Sequence, residues 1–389
     1  MSSGAKVSTA WKREITPGIT PPGDWNVLTR VNFGLLPTYN SEENNEIGAD
    51  RMAQGTAQTT VDVGGDVETK LRFGALDDFM ASCFGKDWAG NVLTMGNDRI
   101  SFSIGSYASD VGIAAIARGA QVATMNFDIP NDNEINVTTT FAAIAWDDKA
   151  DNTSFIVNPV AEANQRRYGF KDVTGLKING VQLGEDNACV DSFNLQFDNA
   201  VQTQRCIGNG NPFPGNIIPT TFPPSGSITM SWSKAAYTYW KAQQTGDALS
   251  FEFTLNNADG GYTFFLPEME VSGDWPDGGS TDIIQVELSY TGRRVPPTIT
   301  RLPAPIVIAA VDITPGTASV AVGATVDLEA AVTPVGASQL VTWSSSDATK
   351  ASVSATGLVK GVAVGTATIT ATSKADVTKT DTATITITA

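Results

Sequence analysis

Two pairs of adjacent carboxylates, Asp77–Asp78 and Asp147–Asp148, and three cysteines, Cys83, Cys189 and Cys206, are the residues of this 389-residue chain whose types could do chemistry. Two carboxylates can act as acid and base in glycosidic cleavage. Adjacent residues on a helix do not face each other, however, and Asp77 and Asp78 fall where the first turn of a helix favours negative charge. The cysteines are odd in number and form no Cys-x-x-Cys pair, so they read as small buried hydrophobes in a reduced protein. There is no histidine. That excludes the usual Ser-His-Asp and Cys-His nucleophiles and His-ligated zinc. The expectation is a protein that is not an enzyme, with no cofactor and no metal.

The element that must position Asp77 and Asp78 is the stretch Thr59 to Trp88. Val61, Val63, Val67, Thr69, Leu71 and Phe73 alternate with Asp62, Glu68, Lys70 and Arg72, the period of a strand with one buried face. Gly64 and Gly65 interrupt it as a bulge or turn does. The period then changes. Leu76, Phe79, Met80, Cys83 and Phe84 form one stripe of a short helix, and Gly85 is placed as its left-handed stop. Leu76, Phe79, Met80 and Phe84 are therefore expected to pack a helix on a sheet. Burying such side chains contributes roughly 1.5–3 kcal/mol each.

Composition points to mostly β structure, low in charge, with a net charge of −16. An acidic chain has no general affinity for the nucleic acid backbone. Residues 1–24, polar and rich in Gly and Pro, read as an extended arm lying on a neighbouring subunit. Trp25 to Leu36 reads as a strand. Pro37 to Met52 reads as a long acidic loop holding Glu42, Glu43, Glu46, Asp50 and Arg51, either a solvated surface loop or one that packs on another subunit. Residues 25–150 read as a first fold, 151–170 as a linker and 171–301 as a second fold. Slid by 161 positions, Gly65 to Gly85 lies over Gly226 to Gly246 without a gap, and the order of elements matches. Tandem duplication of one β fold accounts for this, against chance similarity of two β-rich halves. The proline-rich 302–310 is a second linker, and residues 311–389 form a module. That module has four Lys against six Asp or Glu, so the acidity belongs to the body.

In the module, short strands and turn signals come at the spacing of a β-sandwich. Val320, Val322, Val326, Leu328 and Ala330 alternate, with Gly323 at a hairpin. Ile369, Ile385 and Ile387 are expected inside, and Trp343, its only large aromatic, is expected to pin the core. Through ITPGTASVAVGATVDLEAAVTP, VTWSSSD and GLVKGVAVGTATITAT, the module resembles bacterial immunoglobulin-like domains of group 2. By that resemblance it is a β-sandwich of a kind found in surface adhesins and on phage virion proteins.

The body, residues 25–301, resembles the major tail tube proteins of long-tailed, non-contractile phages. The match runs through WNVLTRVNFG, NNEIGADRM, GGDVETKLRFGALDDFMASCFGKDW, INVTTTFA, LKINGVQLGEDNACVDSFNLQFDN and GGYTFFLPEMEVSG. The resemblance implies a mainly β tail-tube sandwich or barrel with short flanking helices, and an assembly rather than a reaction. Subunits close into rings whose inner sheets join into a barrel, and stacked rings form the conduit through which the genome leaves. It also implies a tape measure protein and a tail terminator as partners, a loop at Pro37 to Met52 that reaches the adjacent ring, and a place in the virion.

Ring closure would remove exposed sheet edges, and an acidic lumen lets DNA pass without sticking. Asp62, Asp66 and Glu68 are candidates for that lumen, with ordinary solvent exposure as the other possibility. A duplicated body favours a ring of three chains with pseudo-sixfold symmetry over a true hexamer. The immunoglobulin-like module would point outward, touching host-surface glycans or stabilising the tube. The rival function is a secreted or surface adhesin. The opening residues lack the apolar stretch of a signal peptide, and no run is long enough to span a membrane. The expectation is therefore synthesis and assembly in the host cytoplasm.

Overall fold

The computed structural model describes residues 4–43, 55–163, 166–184, 186–207, 210–304 and 306–389. In chain order the body begins with β1 (Val7–Arg13), β2 (Trp25–Val27), β3 (Asn32–Phe33), β4 (Leu36–Glu43), β5 (Thr56–Lys70), α1 (Asp77–Phe84), β6 (Val92–Thr94), β7 (Phe102–Ala108), β8 (Ile113–Pro130), β9 (Asn136–Ala143) and β10 (Ala145–Lys149). After a short β11 (Pro159–Val160) come β12 (Val173–Ile178), β13 (Val181–Gln182), β14 (Val190–Asp198), β15 (Gln202–Gln204), β16 (Asn216–Ile218), β17 (Pro224–Ser231), α2 (Lys234–Thr245), β18 (Leu249–Asn257), β19 (Gly260–Ser272), β20 (Gln285–Gly292) and β21 (Thr298–Pro303). The chain divides into two compact units, Met1–Ala304 and Pro305–Ala389.

Strand pairing repeats itself in the two halves of the first unit. In the first half β4 pairs with β5, β5 with β9 and β9 with β8. In the second, β14 pairs with β17, β17 with β20 and β20 with β19. Antiparallel pairing of β8 with β14 joins the two sets, so one inner sheet runs β4-β5-β9-β8-β14-β17-β20-β19. The first parts of β8 and β19 leave that sheet for outer ones. β2, β1, β7, β8 and β10 form the first outer sheet, and β13, β12, β18, β19, β21 and β6 form the second. The halves share one core.

The long alternating strand is β5. Val61, Val63, Val67, Thr69 and the following Leu71 are buried. Gly65 has φ +140°, and a Cβ there would lie 1.9 Å from the Gly34 carbonyl oxygen, so only glycine lets β3 and β4 cross it this closely. The stripe of α1 fills the gap between the inner and outer sheets. Phe79 meets Trp11 and Phe102 of the outer sheet at 5.0 Å each, and Phe141 of the inner sheet at 5.2 Å. Leu76, Met80 and Phe84 are also buried. Gly85, with φ 62°, ends the helix.

Four stretches differ from the expectations above. Trp25 to Leu36, read as one strand, holds the separate β2 and β3, with β4 beginning only at Leu36. Residues 1–24 contain β1, which pairs along β7 and buries Ala10 and Trp11. Its Thr9 and Lys12 are buried too, so the strand shows no alternation, and Lys12 satisfies its ammonium on the carbonyls of Pro21 and Gly23. Just beyond it, the Glu14 carboxylate is buried and accepts from Ser101 Oγ, Ser103 Oγ and the Gly18 and Gly119 N–H groups. Pro37 to Glu43 is strand rather than loop, because it completes β4 against β5. The stretch 151–170, read as a linker, contributes fully buried Tyr168, whose hydroxyl donates to the Gly260 carbonyl at 2.9 Å.

The second unit comprises β22 (Ala310–Thr314), β23 (Thr317–Ala321), β24 (Thr325–Asp327), β25 (Glu329–Thr333), β26 (Val341–Ser345), β27 (Ala351–Val353), β28 (Leu358–Gly361), β29 (Gly365–Ser373) and β30 (Thr380–Thr388). Its core holds Leu328, Val359, Ile369, Ile385 and Ile387. Two expectations are corrected here. Gly323 does not turn a hairpin: β23 pairs with β30 while β24 pairs with β28, so the turn carries the chain from one sheet to the other. Trp343 is not a central pin. It lies on β26, the edge of the sheet β23-β30-β29-β26, and packs partly exposed against the core.

Candidate functional site

The inner sheet has one apolar and one polar face, because side chains alternate along every strand. Asp62, Asp66 and Glu68 stand on the polar face of β5, opposite Thr38, Thr140 and Thr138 of the neighbouring strands. Following the register across the sheet brings Asp128, Asp198, Glu287 and Glu270 to the same face. Among these strands the polar positions are otherwise mostly Ser, Thr, Asn and Gln, with Lys70 at the end of β5 paired to Glu134 at 3.8 Å. Sequence reading missed the four further carboxylates: alternation sets each on the polar side of its own strand, but only the register between strands brings them to one face.

Hydrogen bonds hold these carboxylates along the sheet rather than converging them on a point. Thr124 Oγ1 donates to Thr140 Oγ1 at 2.9 Å, and Thr140 Oγ1 donates to Asp66 at 2.6 Å. Asp62 accepts from Asn40 Nδ2 at 2.8 Å and pairs with Arg205. Glu270 pairs with Arg293. The face is thus an extended acidic and hydroxyl surface. Glu42 and Glu43 are exposed at the end of β4, while Glu46, Asp50 and Arg51 lie outside the described residues.

Neither carboxylate pair is built for catalysis. Asp77 accepts from the Tyr262 hydroxyl at 2.5 Å and pairs with Arg301 at 2.8 Å. Asp78 turns the other way, to Arg13 at 3.5 Å, and burial pushes its carboxyl up while Arg13 pulls it down. Asp147 pairs with Arg118, and Asp148, next to it on β10, is exposed. Cys83 is buried, with its thiol pushed up by burial, whereas Cys189 and Cys206 are exposed. Among the described residues no group of three His, Cys, Asp or Glu is arranged to hold a metal ion, and no helix is long and apolar enough to cross a membrane.

The sheet also has two ends. β4 pairs along one side only, with β5, among the described residues. β19 pairs with β20 through Met269–Ser272 and then leaves the sheet. Near that second end, Trp275 lies against Trp232, Trp240 and Tyr237 at 5.3, 5.0 and 6.3 Å. The sliding of the two halves set Tyr237 over Leu76 and Trp240 over Phe79. In the structure the latter two are buried, whereas Tyr237 is exposed and Trp240 half-buried.

Among known proteins, residues 4–293 match the family described as phage tail tube protein, and residues 307–385 match the bacterial Ig-like domain (group 2). The chain belongs to the phage tail tube protein family and carries a bacterial Ig-like domain at residues 307–385. No curated protein matches it. Among solved structures, invasin, a bacterial integrin-binding protein, is matched over 74% of this chain and 76% of that chain, at 10% identity and a TM-score of 0.17. A likeness that slight carries no weight.

Proposed function

We propose that this tail tube protein closes into rings of three chains, that the rings stack into the tube of a long-tailed, non-contractile phage, and that the genome leaves through an acidic lumen. The observation that carries the proposal is the family match over residues 4–293. The polar face bearing Asp62, Asp66 and Glu68 would line the lumen, together with Asp128 and Asp198. The tape measure protein and a tail terminator are its expected partners, and DNA passes without specific binding. The segment around Glu46, Asp50 and Arg51 would make contact between rings.

The strand count favours three chains over six. Each chain supplies eight strands to the inner sheet. With strands ~4.8 Å apart and tilted ~40°, a barrel of 24 strands is about 50 Å across and one of 48 is about 100 Å. The smaller admits one DNA duplex with a modest margin of water. The larger leaves most of the bore empty.

The Ig-like unit would face away from the lumen, binding host-surface glycans weakly or stabilising the tube. An adhesin function would rest on that unit alone, which is a scaffold found with many roles. Electron microscopy of the purified chain tests the proposal. Rings or tubes bearing peripheral knobs are expected, and a monodisperse monomer at high concentration would overturn it. Chains lacking residues 306–389 that still assembled and infected equally well would show the Ig-like unit to be dispensable.

A further inference from the structure

The β8–β14 junction joins two copies of one fold inside a single chain, so it serves as a template for what the two free ends of the inner sheet can do. The copies superpose residue by residue in their pairing. Phe141 lies opposite Gly65 as Tyr290 lies opposite Gly226. Val122 lies opposite Phe141 as Val271 lies opposite Tyr290. Thr124, after a one-residue bulge, lies opposite Thr140 as Ser272 lies opposite Ser289. Continuing that register, Phe127 of β8 corresponds to Trp275. At the other end, Phe33 and Pro37 lie opposite Val67 and Val63 as Phe193 and Phe197 lie opposite Ile228 and Pro224. Leu35 therefore corresponds to Leu195.

Burial distinguishes the two copies at these positions. Phe127 is 1% exposed, packed at 6.1 Å on Phe197 and 5.2 Å on Phe264. Trp275, its counterpart, is 61% exposed. The second half also covers α1, with Phe222 at 5.1 Å from Phe84. On α2 the counterpart of Phe84 is Thr245, which is exposed, and Tyr237, the counterpart of buried Leu76, is exposed as well. At the far end Tyr39 is 61% exposed although it points to the apolar side of β4, opposite buried Val61. One end of the chain thus lacks a strand with a core-facing apolar row, and the other end presents one with an unpaired edge. An open edge beside exposed aromatics is a pairing site for another chain.

We propose that the aromatic cluster of Trp232, Tyr237, Trp240 and Trp275 is the docking site for a second copy of this chain, whose β3–β4 edge pairs with residues 271–277 in the register that β14 adopts on β8. This rests on the ring function proposed above and gives it a seam. Leu195 lies opposite Phe127 and Asp198 opposite Thr124 in the internal junction. Across chains, Leu35 then lies opposite Trp275 and Thr38 opposite Ser272. Trp275 is buried on assembly.

The register can be trapped. Thr38 and Ser272 are both exposed on the polar face, and directly opposed residues on paired strands come within about 4.5–5.5 Å, inside the range a disulfide spans. In a full chain with Cys189→Ser and Cys206→Ser, the double variant Thr38→Cys/Ser272→Cys should give covalent oligomers on oxidation of assembled rings, and neither single variant should. Trp275→Asp, at an exposed position, should leave the far-ultraviolet circular dichroism unchanged while abolishing ring formation in sedimentation. Rings of the double variant in which the two introduced thiols stay reduced, or rings that form normally with Trp275→Asp, would overturn the seam and leave the tube function standing. A wild-type chain that never assembles would overturn both.

Discussion

The Tyr262 hydroxyl, from the second half of the body, donates to Asp77 Oδ1 at 2.5 Å, at the start of the first-half helix. It also accepts from the Gly74 N–H at 2.7 Å, and Arg301 holds the other Asp77 oxygen at 2.8 Å. Asp77, raised with Asp78 as a carboxylate pair and read as belonging to the first turn of a helix, is therefore a structural tie between the halves. Tyr262→Phe should destabilise the body by about 2 kcal/mol, since it removes a hydrogen bond to a charged group and leaves buried polar groups without a partner. Urea unfolding followed by tryptophan fluorescence would read this as a lower midpoint with an unchanged slope.

Phe79 touches three aromatic rings from both sheets. Phe79→Ala should cost about 3–5 kcal/mol, and Phe79→Asp should prevent folding and with it assembly. Trp343→Ala should lower only the melting of the Ig-like unit, by less, because Trp343 lies on an edge strand and is partly exposed. Calorimetry of the intact chain would separate the two effects; equal effects would contradict the difference in burial.

Glu14 organises the segment after β1. Glu14→Ala would leave the Ser101 hydroxyl and the Gly119 N–H buried with no acceptor, and Ser103 with Thr20 Oγ1 alone, at a cost of about 3 kcal/mol. Hydrogen exchange should show the outer-sheet strand β1 opening first in this variant. Unchanged protection there would refute a role for Glu14 as anchor.

The thiols should react unequally. Cys83 is buried with its thiol pushed up by burial, so almost none is thiolate at neutral pH. A maleimide at pH 7 should label Cys189 and Cys206 in the native chain and reach Cys83 only after denaturant is added. Intact-mass spectrometry counts the adducts, and three on the native protein would contradict this burial.

Glu68→Lys places a cation on the polar face without touching the core. Folding and tube formation should be kept, while genome ejection slows, more so at low salt than at high salt, because phosphate attraction is screened. Ejection rates equal to wild type across salt concentrations would remove Glu68 from the lumen.

Legibility in the sequence followed burial geometry. β5 was readable because one of its faces is buried; α1, although Phe79 to Phe84 are all buried, was readable because its large apolar side chains keep to one stripe and Ala81 and Ser82 are small. β14, β20 and the inner-sheet parts of β8 and β19 likewise alternate. β1 was not readable, because Thr9 to Lys12 is buried on both sides and shows no alternation. β4 was not readable for the opposite reason: its Thr38, Tyr39, Ser41, Glu42 and Glu43 are exposed on an open edge, and an exposed strand looks like a loop. Tyr168 looked like linker because the residues around it are polar. For the polar face, the alternation around Asp66 pointed to one strand, while Asp128, Asp198, Glu270 and Glu287 join it only through a register that no local pattern contains.

The β8–β14 junction has a kinetic consequence. In the ring of three chains proposed above, copies on separate chains would have to come together as six bodies, each losing translational and rotational freedom on docking. Fusion would make every second seam of that proposed ring unimolecular, at an effective concentration set by the chain itself. If the committed step is closure of a three-chain ring, its early rate rises with about the third power of protein concentration rather than the sixth. Tubes would then nucleate at dilutions where unfused half-chains stay dispersed.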